Sequence, residues 1–357
     1  MGTTNDAGDL ATGADTRCDD PDPNWAFLSP VGVDAALGGL AGADALCEQW
    51  ATVAGIPGTY RAILSTTLVD ARDRLAGARG WVRVDRRPLG DEPGDMFQNT
   101  GPLAALRIDS MGNDLGQQSV WSASSGGRYY DGGGGTDCTG WTVADTERAW
   151  YGFSDTTSEW QNRGTNGECT SSYHLYCFQI DNYHPLDIAD YAETGKRMFV
   201  SSGKFDVTTG LAGADALCAA DVASANLGGS FKALVASTGS SAISRFADDG
   251  SAVVTLDGLL VANDFATLST GPLVHPPVEE GDRNGSWTWR VFTGAYTPDQ
   301  AGQLSTTCSD WTVAAGNAVI GMSHSTTVQG GQRAWYGNGT DSCMNRSGAL
   351  PVYCLEE

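Results

Sequence analysis

The chain has 357 residues, which is long enough for two domains that each bury a core. Hydrophobic residues make up 41% of it, which excludes a wholly disordered protein, and no run approaches the ~20 apolar residues that cross a bilayer. The formal net charge of −22 argues against partners such as nucleic acid and anionic lipid, because phosphate binding requires clustered lysine and arginine.

The first 24 residues are predicted to be an acidic, flexible tether rich in Asp, Gly, Thr and Ala. The tether contains Cys18, which we interpret as a free thiol, an intermolecular link, or the partner of a cysteine outside this chain. It has no charged segment followed by an apolar one, so no signal peptide is evident. Because the other cysteines suit an oxidising compartment, we expect a precursor with a signal segment and a lipid-anchored tether.

Downstream of the tether, the sequence repeats itself. The octapeptide LAGADALC at residues 40–47 returns unchanged at 211–218, displaced by 171 positions. Three other motifs recur at nearly the same offset: 58–62 with 229–233, 100–103 with 270–273, and 138–143 with 308–313. A repeat of this length indicates duplicated domains rather than a solenoid. We therefore predict one domain at 25–180 (repeat 1) and a second domain at 196–357 (repeat 2). The short linker between them, at 181–195, is predicted to restrict their relative orientation.

Within each repeat, we predict a strand, two helices, and then a series of strands and loops. The octapeptide is predicted to open a helix, because Leu40, Ala43, Leu46 and Cys47 follow helical spacing and face one side. The predicted strands of the two repeats lie at 26–29, 60–64, 119–121 and 175–178, and at 198–201, 231–235, 290–292 and 352–355.

Each repeat contains four cysteines, and four cysteines allow three pairings that the spacing alone does not distinguish. The equal counts favour bridges within each repeat. Short paired spacings such as C-x-x-C are absent, which disfavours zinc. The eight cysteines are Cys47, Cys138, Cys169 and Cys177 in repeat 1, and Cys218, Cys308, Cys343 and Cys354 in repeat 2.

The order of these motifs resembles a known family. A helix ending in cysteine precedes AGIPGTYRAILS at 54–65, followed by SVW at 119–121, Cys138-x-x-Trp141, and a strand ending in Tyr176-Cys177. This order is similar to endostatin, the C-terminal domain of certain collagens, and to a domain of unknown function in bacterial surface lipoproteins. Repeat 2 has the same order, so the resemblance covers both repeats almost completely.

The resemblance implies an α+β, C-type-lectin-like fold for each repeat, with mainly antiparallel sheets and two helices packed on them. It also implies nested disulfides that join the first cysteine to the fourth and the second to the third. Carried over to this chain, the expected bridges are Cys47–Cys177, Cys138–Cys169, Cys218–Cys354 and Cys308–Cys343.

The ligand sites of this family are only weakly represented. Endostatin-like domains bind heparin through arginines, and repeat 1 has a modest group that we interpret as solvated charges beside acidic neighbours: Arg72, Arg74, Arg79, Arg83, Arg86 and Arg87. Repeat 2 has no equivalent run. The four histidines are scattered along the chain, so we do not expect endostatin's zinc site.

Calcium is the one cofactor for which the sequence offers ligands. C-type lectins bind sugar through calcium with a proline loop and an Asn/Asp strand, and Thr297-Pro298-Asp299 lies where such a loop belongs. The candidate calcium ligands are Asp299, Asn338 and Asp341 in repeat 2, and Asn162 and Glu168 in repeat 1. The alternative is that these residues form turns, which Asn and Asp favour.

The pentapeptide RAWYG occurs once in each repeat, but in different registers relative to the cysteines, so the copies need not be structural equivalents. Exposed, these residues would form an aromatic and cationic patch for a glycan or protein; the alternative is a buried aromatic core. The candidate ligand-binding residues are Arg148, Trp150 and Tyr151 in repeat 1, and Arg333, Trp335 and Tyr336 in repeat 2. Trp141 and Trp311 have matched spacing and are predicted to lie in the core.

Together these features predict a non-catalytic binding or adhesion protein, extracellular or on a bacterial surface, that recognises glycans or extracellular proteins. Duplication supplies two sites and hence avidity. The alternatives are a structural subunit of a surface layer or filament, a calcium-dependent lectin, and an unrecognised enzyme. Motifs such as HExxH and GxSxG are absent, and the acidic pairs at 248–249 and 279–280 are predicted to lie in solvated loops.

Overall fold

A computed structural model describes residues 22–98, 101–132, 136–277, 290–326, 328–329, 332–344 and 350–357, with only the backbone of 328–329 and 332–333. Cys18 and the acidic pair at 279–280 lie outside the described residues. The fold is α+β with mainly antiparallel sheets. Within the described part, no helix is both long and apolar enough to cross a membrane.

Repeat 1 is built on a five-stranded sheet in the order β2-β10-β1-β3-β4, in which only β1 and β3 run parallel. A smaller antiparallel sheet has the order β5-β8-β9, and β6 pairs with β7. The strands are β1 (Asn24–Leu28), β2 (Tyr60–Ala62), β3 (Trp81–Arg83), β4 (Pro88–Gly90), β5 (Ser119–Trp121), β6 (Ser124–Ser125), β7 (Arg128–Tyr129), β8 (Arg148–Phe153), β9 (Asn166–Glu168) and β10 (Tyr176–Gln179).

Repeat 2 repeats this plan, with a five-stranded sheet in the order β12-β20-β11-β13-β14 and a smaller sheet in the order β15-β16-β19. The predicted strands are present in both repeats; those at 60–64 and 231–235 are shorter than predicted, and four others are shifted by one or two residues. The strands are β11 (Lys196–Val200), β12 (Phe231–Ala233), β13 (Val253–Val254), β14 (Leu260–Ala262), β15 (Arg290–Phe292), β16 (Asn317–Met322), β17 (Val328–Gln329), β18 (Gln332–Arg333), β19 (Thr340–Ser342) and β20 (Tyr353–Glu356).

Four short 3₁₀ helices are described, at Ala71–Leu75, Ile188–Tyr191, Val207–Thr209 and Ile243–Arg245. The described α-helical segments number six, and only two are longer than six residues. They are α1 (Gly39–Val53), α2 (Pro93–Met96), α3 (Cys138–Trp141), α4 (Gly210–Ser224), α5 (Phe265–Thr270) and α6 (Cys308–Trp311). The resemblance implies two packed helices per repeat; each repeat has one long helix, and in repeat 1 the next helical segment after β2 is the 3₁₀ helix Ala71–Leu75. Gly77 and Gly80 adopt φ angles of 91° and 71°, so the chain turns there instead of continuing a helix.

The octapeptide, which is identical in the two repeats, forms the first half of α1 and of α4, as predicted. Ala43 and Cys47 are fully buried, whereas Leu40 and Leu46 are only partly buried against the same core. The buried face therefore consists mainly of small residues, which allows the helix to approach β2 closely.

A buried ion pair explains why the octapeptide contains aspartate. Arg74 donates two hydrogen bonds to the Asp44 carboxylate, at 2.5 and 2.6 Å, and the Ala62 backbone N–H donates to Asp44 Oδ1 at 2.9 Å. Arg74 also donates to the Ala62 carbonyl oxygen. The arrangement ties α1 to β2 and supplies hydrogen-bond partners to both charges, which a buried ion pair requires.

Repeat 2 contains the same arrangement. Arg245 donates to the Asp215 carboxylate at 2.8 and 2.6 Å, and the Ala233 N–H donates to Asp215 Oδ1 at 3.0 Å. Arg74 and Arg245 are separated by the 171 positions that separate the octapeptides. That shared offset is a sequence signal that assigns Arg74 to the fold rather than to a basic surface.

Each repeat contains two nested disulfides, which is the arrangement that the family resemblance implies. The outer bridges join the long helices to the last strands, and the inner bridges join α3 and α6 to the chain beyond β9 and β19. The pairs are Cys47–Cys177, Cys138–Cys169, Cys218–Cys354 and Cys308–Cys343.

Segments α3 and α6 are left-handed turns. Residues 138–141 have φ angles of 50°, 52°, 67° and 65°, and residues 308–311 have angles of 50°, 55°, 62° and 59°. Each non-glycine residue in this region costs roughly 1–2 kcal/mol, so surrounding contacts must hold the turn. Trp141 Nε1 donates to the Ser65 carbonyl at 2.8 Å, and Trp311 Nε1 donates to the Ala236 carbonyl at 2.8 Å. Both tryptophans are fully buried, as predicted.

The linker segment is held by contacts with both repeats. The Leu186 N–H donates to Asp91 at 2.8 Å, Glu193 pairs with Arg87 of repeat 1, and the Glu193 N–H donates to the Gly258 carbonyl of repeat 2 at 2.8 Å. These contacts fix the path of the linker between the two repeats.

Two histidines of repeat 2 are buried near repeat 1. His275 Nδ1 lies 2.7 Å from the Leu260 carbonyl, and the Arg83 and Arg87 side chains of repeat 1 face it. Burial lowers the pKa of His275 to about 3 and that of His324 to about 4. Both imidazoles are therefore neutral at pH 7.

We expect the free energy of unfolding to fall as the pH falls from 6.5 towards 4. The unfolded chain takes up a proton at each histidine near pH 6.5, whereas the folded chain does so only at the lowered pKa. The stabilisation that comes from keeping both histidines neutral is thus complete above pH 6.5, and it is lost progressively as the pH falls from 6.5 towards the folded pKa values. Asp155, near His324, titrates with the opposite sign because burial raises its pKa.

A matched variant isolates the contribution of one histidine. Between pH 6 and pH 5, the free energy of unfolding of His324→Gln should depend on pH less steeply than that of the parent, by about 1 kcal/mol per pH unit. Urea unfolding at the two pH values measures both slopes. Equal slopes would contradict a neutral, buried His324.

Candidate functional site

A groove of about 470 Å³ opens on repeat 1. Its walls are residues 22–25 at the start of β1, residues 55–57 after α1, and residues 179 and 181–184 after β10. The volume falls within the range of roughly 300–1,000 Å³ typical of small-ligand sites. We name it the repeat 1 groove.

Asn24 fixes one wall of the repeat 1 groove. It is fully buried, and its Nδ2 donates to the carbonyls of Arg79 and Asn182, at 2.6 and 2.9 Å. In return, the Asn182 N–H donates to Asn24 Oδ1 at 2.9 Å. These bonds hold the start of the linker against the sheet, so the wall that carries Tyr183 is anchored by buried polar contacts.

The groove combines aromatic rings with hydrogen-bonding groups. Trp25 and Tyr183 both line it, and the Tyr183 side chain is 63% exposed. Carboxylates of Asp22 and Asp181 and the amide of Asn182 lie in the same walls. An apolar ring face beside acceptors and donors suits a ligand with C–H faces and hydroxyl groups.

Asp181 supplies a fixed negative charge. Burial alone raises the pKa of Asp181, but hydrogen bonds from Gln179 and the Thr59 backbone, at 3.0 and 2.8 Å, outweigh it and hold the pKa below its ordinary value. The group is therefore a carboxylate at neutral pH, and a carboxylate is a strong acceptor for hydroxyl donors.

Repeat 2 differs at the corresponding place. The sheet registers align Ala26 with Met198, so Arg197 occupies the position of Trp25. Arg197 donates to Glu356 at 2.5 and 2.8 Å, donates to the Gly228 carbonyl, and lies over the Phe231 ring at 5.2 Å. These contacts hold its guanidinium against Glu356 at the end of β20 and over the Phe231 ring.

Sequence reasoning did not identify Trp25. It lies at the boundary of the predicted tether, outside every recognised motif. The available signal was the contrast between the copies, since strand β1 begins Asn-Trp where β11 begins Lys-Arg.

The predicted RAWYG site behaves differently in the two repeats. In repeat 1, Arg148 is exposed and binds Asn166, with Nε 2.8 Å from Oδ1, and also pairs with Glu168 at 3.4 Å. Trp150 is only 7% exposed and packs against Tyr130. Tyr151 is partly buried against Tyr173, with ring centroids 4.7 Å apart. The structure therefore leaves Arg148 and part of Tyr151 at the surface, and buries Trp150.

In repeat 2, the structure supports the alternative of a buried aromatic core, so Trp335 and Tyr336 are not available as ligand-binding residues. Trp335 and Tyr336 are fully buried, and the Tyr336 hydroxyl donates to the carbonyls of Leu234 and Thr293, each at 3.2 Å. The side chain of Arg333 lies outside the part of the structure described. The two pentapeptides are not structural equivalents. The copy in repeat 1 lies within β8, whereas the copy in repeat 2 begins in β18, after β16, which is the strand that corresponds to β8.

Three of the five candidate calcium ligands are engaged by neighbouring protein groups. Asn162 Oδ1 accepts from the Gly164 N–H at 2.7 Å, which is a turn contact, and Glu168 pairs with Arg148. Asp341 pairs with Arg290 at 2.6 Å. Asp299 and Asn338 are exposed. The structure thus uses three of the five for turns and ion pairs within the fold.

Across the described ranges, one group of three potential ligand side chains brings its atoms within 4.8 Å of one another: Asp145, Glu147 and Cys169. Cys169 is held in a disulfide, so this group offers two carboxylates. None of the five candidate calcium ligands belongs to it.

The arginine group of repeat 1 is largely neutralised by ion pairs. The pairs are Arg72 with Asp73, Arg74 with Asp44, Arg79 with Asp91 and Glu92, Arg83 with Asp85, and Arg87 with Glu193. The acidic neighbours agree with our interpretation of this group, but the side chains of Arg74 and Arg83, which are 6% and 2% exposed, are buried and not solvated as expected. The ion pairs remove the main argument for a heparin-binding face.

No protein-family model matches the chain, and no curated protein matches it either.

Proposed function

We propose that this chain is a non-catalytic extracellular binding protein that holds a neutral glycan in the repeat 1 groove. The observation that carries the proposal is the pairing of Trp25 and Tyr183 with the Asp181 carboxylate in one open groove. Sugar rings stack their C–H faces on aromatic side chains, and their hydroxyl groups donate to carboxylates. The negative charge of the groove and of the chain disfavours sulfated glycans.

The fold supports the location and the class of module. The long helix, the five-stranded sheet and the nested bridges of each repeat support our assignment of both repeats to the endostatin-like, C-type-lectin-like domains. Four disulfides support an oxidising, extracellular setting, because cytosolic thiols are kept reduced. The proposal places ligand binding in repeat 1, where Trp25 takes the position that Arg197 has in repeat 2.

Replacing Tyr183 by alanine should weaken glycan binding about tenfold or more, because removing an anchoring aromatic side chain typically costs over 1 kcal/mol. Tyr183→Phe should retain most of the affinity, since it keeps the ring. A glycan array with neutral and sulfated members identifies the ligand, and calorimetry measures the dissociation constants.

The control is Leu68→Ala, which truncates a side chain that is 92% exposed and lies outside the groove. An array without any signal for the folded protein, or a ligand indifferent to Tyr183→Ala, would refute the proposal. Binding that disappears with a calcium chelator would favour the calcium-dependent lectin instead.

A further inference from the structure

The strands β8 and β16 run into segments of matching sequence. Residues 152–157 read GFSDTT, and residues 321–326 read GMSHST. Gly152 lies opposite Val120, and Gly321 lies opposite Val291, so the two glycines occupy the same register. We call residues 152–157 and 321–326 the pairing segments. Position by position, Asp155 corresponds to His324 and Thr157 to Thr326.

The pairing segments bind each other reciprocally. Thr157 Oγ1 donates to the His324 carbonyl at 3.0 Å, and Thr326 Oγ1 donates to the Asp155 carbonyl at 2.6 Å. Thr157 and Thr326 are counterparts, and each binds the carbonyl that lies two residues before the other. Both threonines are fully buried. Exchange of the two repeats leaves this pattern unchanged, which is the signature of an isologous, two-fold contact.

A cavity of about 100 Å³ beside the pairing segments has the same symmetry. Phe153 and Met322, which correspond, both line it, as do Thr156 and Ser325. Glu159 and Ala334 also line the cavity and form a third matched pair. Each lies directly before a buried tryptophan, and the carbonyl of that tryptophan is close to the glycine that begins the pairing segment in the same repeat. Equivalent residues from both repeats therefore meet around one axis.

We propose that the pairing segments form a self-complementary interface, in which the two repeats occupy the places of the two subunits of a symmetric dimer. The partner that fits this surface is the same surface on another copy of the repeat. The linker makes the association intramolecular and raises the effective concentration of the partner. The proposal is independent of ligand binding in the repeat 1 groove.

The interface can be tested in the full chain by cutting the linker. A protease site inserted between Ala189 and Asp190 allows cleavage after folding, and because every described disulfide lies within one repeat, only noncovalent contacts then join the halves. The halves should co-elute in size-exclusion chromatography at micromolar concentration. Separation of the halves, whether or not each keeps its near-ultraviolet circular dichroism, would overturn the proposal.

The two-fold character has its own test. In the cut protein, Thr157→Val and Thr326→Val should each raise the dissociation constant between the halves about 2- to 10-fold, and by similar factors, because each removes one equivalent hydrogen bond. The matched control is Thr52→Val, whose hydroxyl binds the Glu48 carbonyl within α1; it should leave association unchanged. An effect of only one interface threonine, or of neither, would overturn the reciprocal contact.

Discussion

Replacing Asp44 by alanine is expected to lower the free energy of unfolding of the disulfide-bonded chain by about 3–5 kcal/mol. The side chains of Asp44 and Arg74 are 14% and 6% exposed, so the substitution leaves a buried guanidinium without its carboxylate. It also removes the acceptor of the Ala62 N–H, which joins α1 to β2. Unpaired buried charge is the larger of the two losses.

Denaturant unfolding measures this loss, and the chain supplies two comparisons. Asp73→Ala removes the partner of Arg72 in an exposed pair, and should cost less than 1 kcal/mol. Asp215→Ala removes the equivalent carboxylate of repeat 2 and should cost less than Asp44→Ala, because Arg245 and Asp215 are more exposed, at 14% and 29%. If Asp44→Ala costs no more than Asp73→Ala, the ion pair does not anchor the helix.

Removing the outer bridge of repeat 1, by changing both Cys47 and Cys177 to alanine, should destabilise repeat 1 by about 5 kcal/mol in the chain-entropy model. The bridge spans 130 residues and therefore restricts the unfolded chain strongly. Removing the inner bridge, Cys138–Cys169, which spans 31 residues, should cost about 1 kcal/mol less.

The two double variants are compared by denaturant unfolding, each with the three remaining bridges intact. Both bridges are buried in the same core, so each double variant also carries the cost of a cavity in addition to the loop-closure term. An inner bridge whose removal costs more than that of the outer bridge would contradict loop closure as the main source of stabilisation.

The candidate site was the part of the protein that sequence patterns predicted least well. RAWYG is a compact motif with an arginine and two aromatic residues, which is equally typical of a binding patch and of a core. Whether its aromatic side chains are exposed depends on where the motif lies relative to the smaller sheet. In repeat 2, Trp335 and Tyr336 are buried. The groove instead combines segments around Trp25, Pro57 and Tyr183 that lie far apart in sequence and meet only after the sheet has formed.

The duplication, the main strands and the long helices follow from the sequence, because repeated motifs and short-range periodicity are local properties. The α+β fold class was implied by the family resemblance. The pairing of the cysteines came from a resemblance, since spacing alone left three arrangements open. Tertiary structure alone decided that Asp44 binds Arg74, that the second helix shortens to a few residues, and that Arg197 takes the place of Trp25. It also decided how repeat 1 meets repeat 2 through Thr157 and Thr326. Each of these depends on long-range contacts, whose geometry is set by the assembled sheets and not by neighbouring residues.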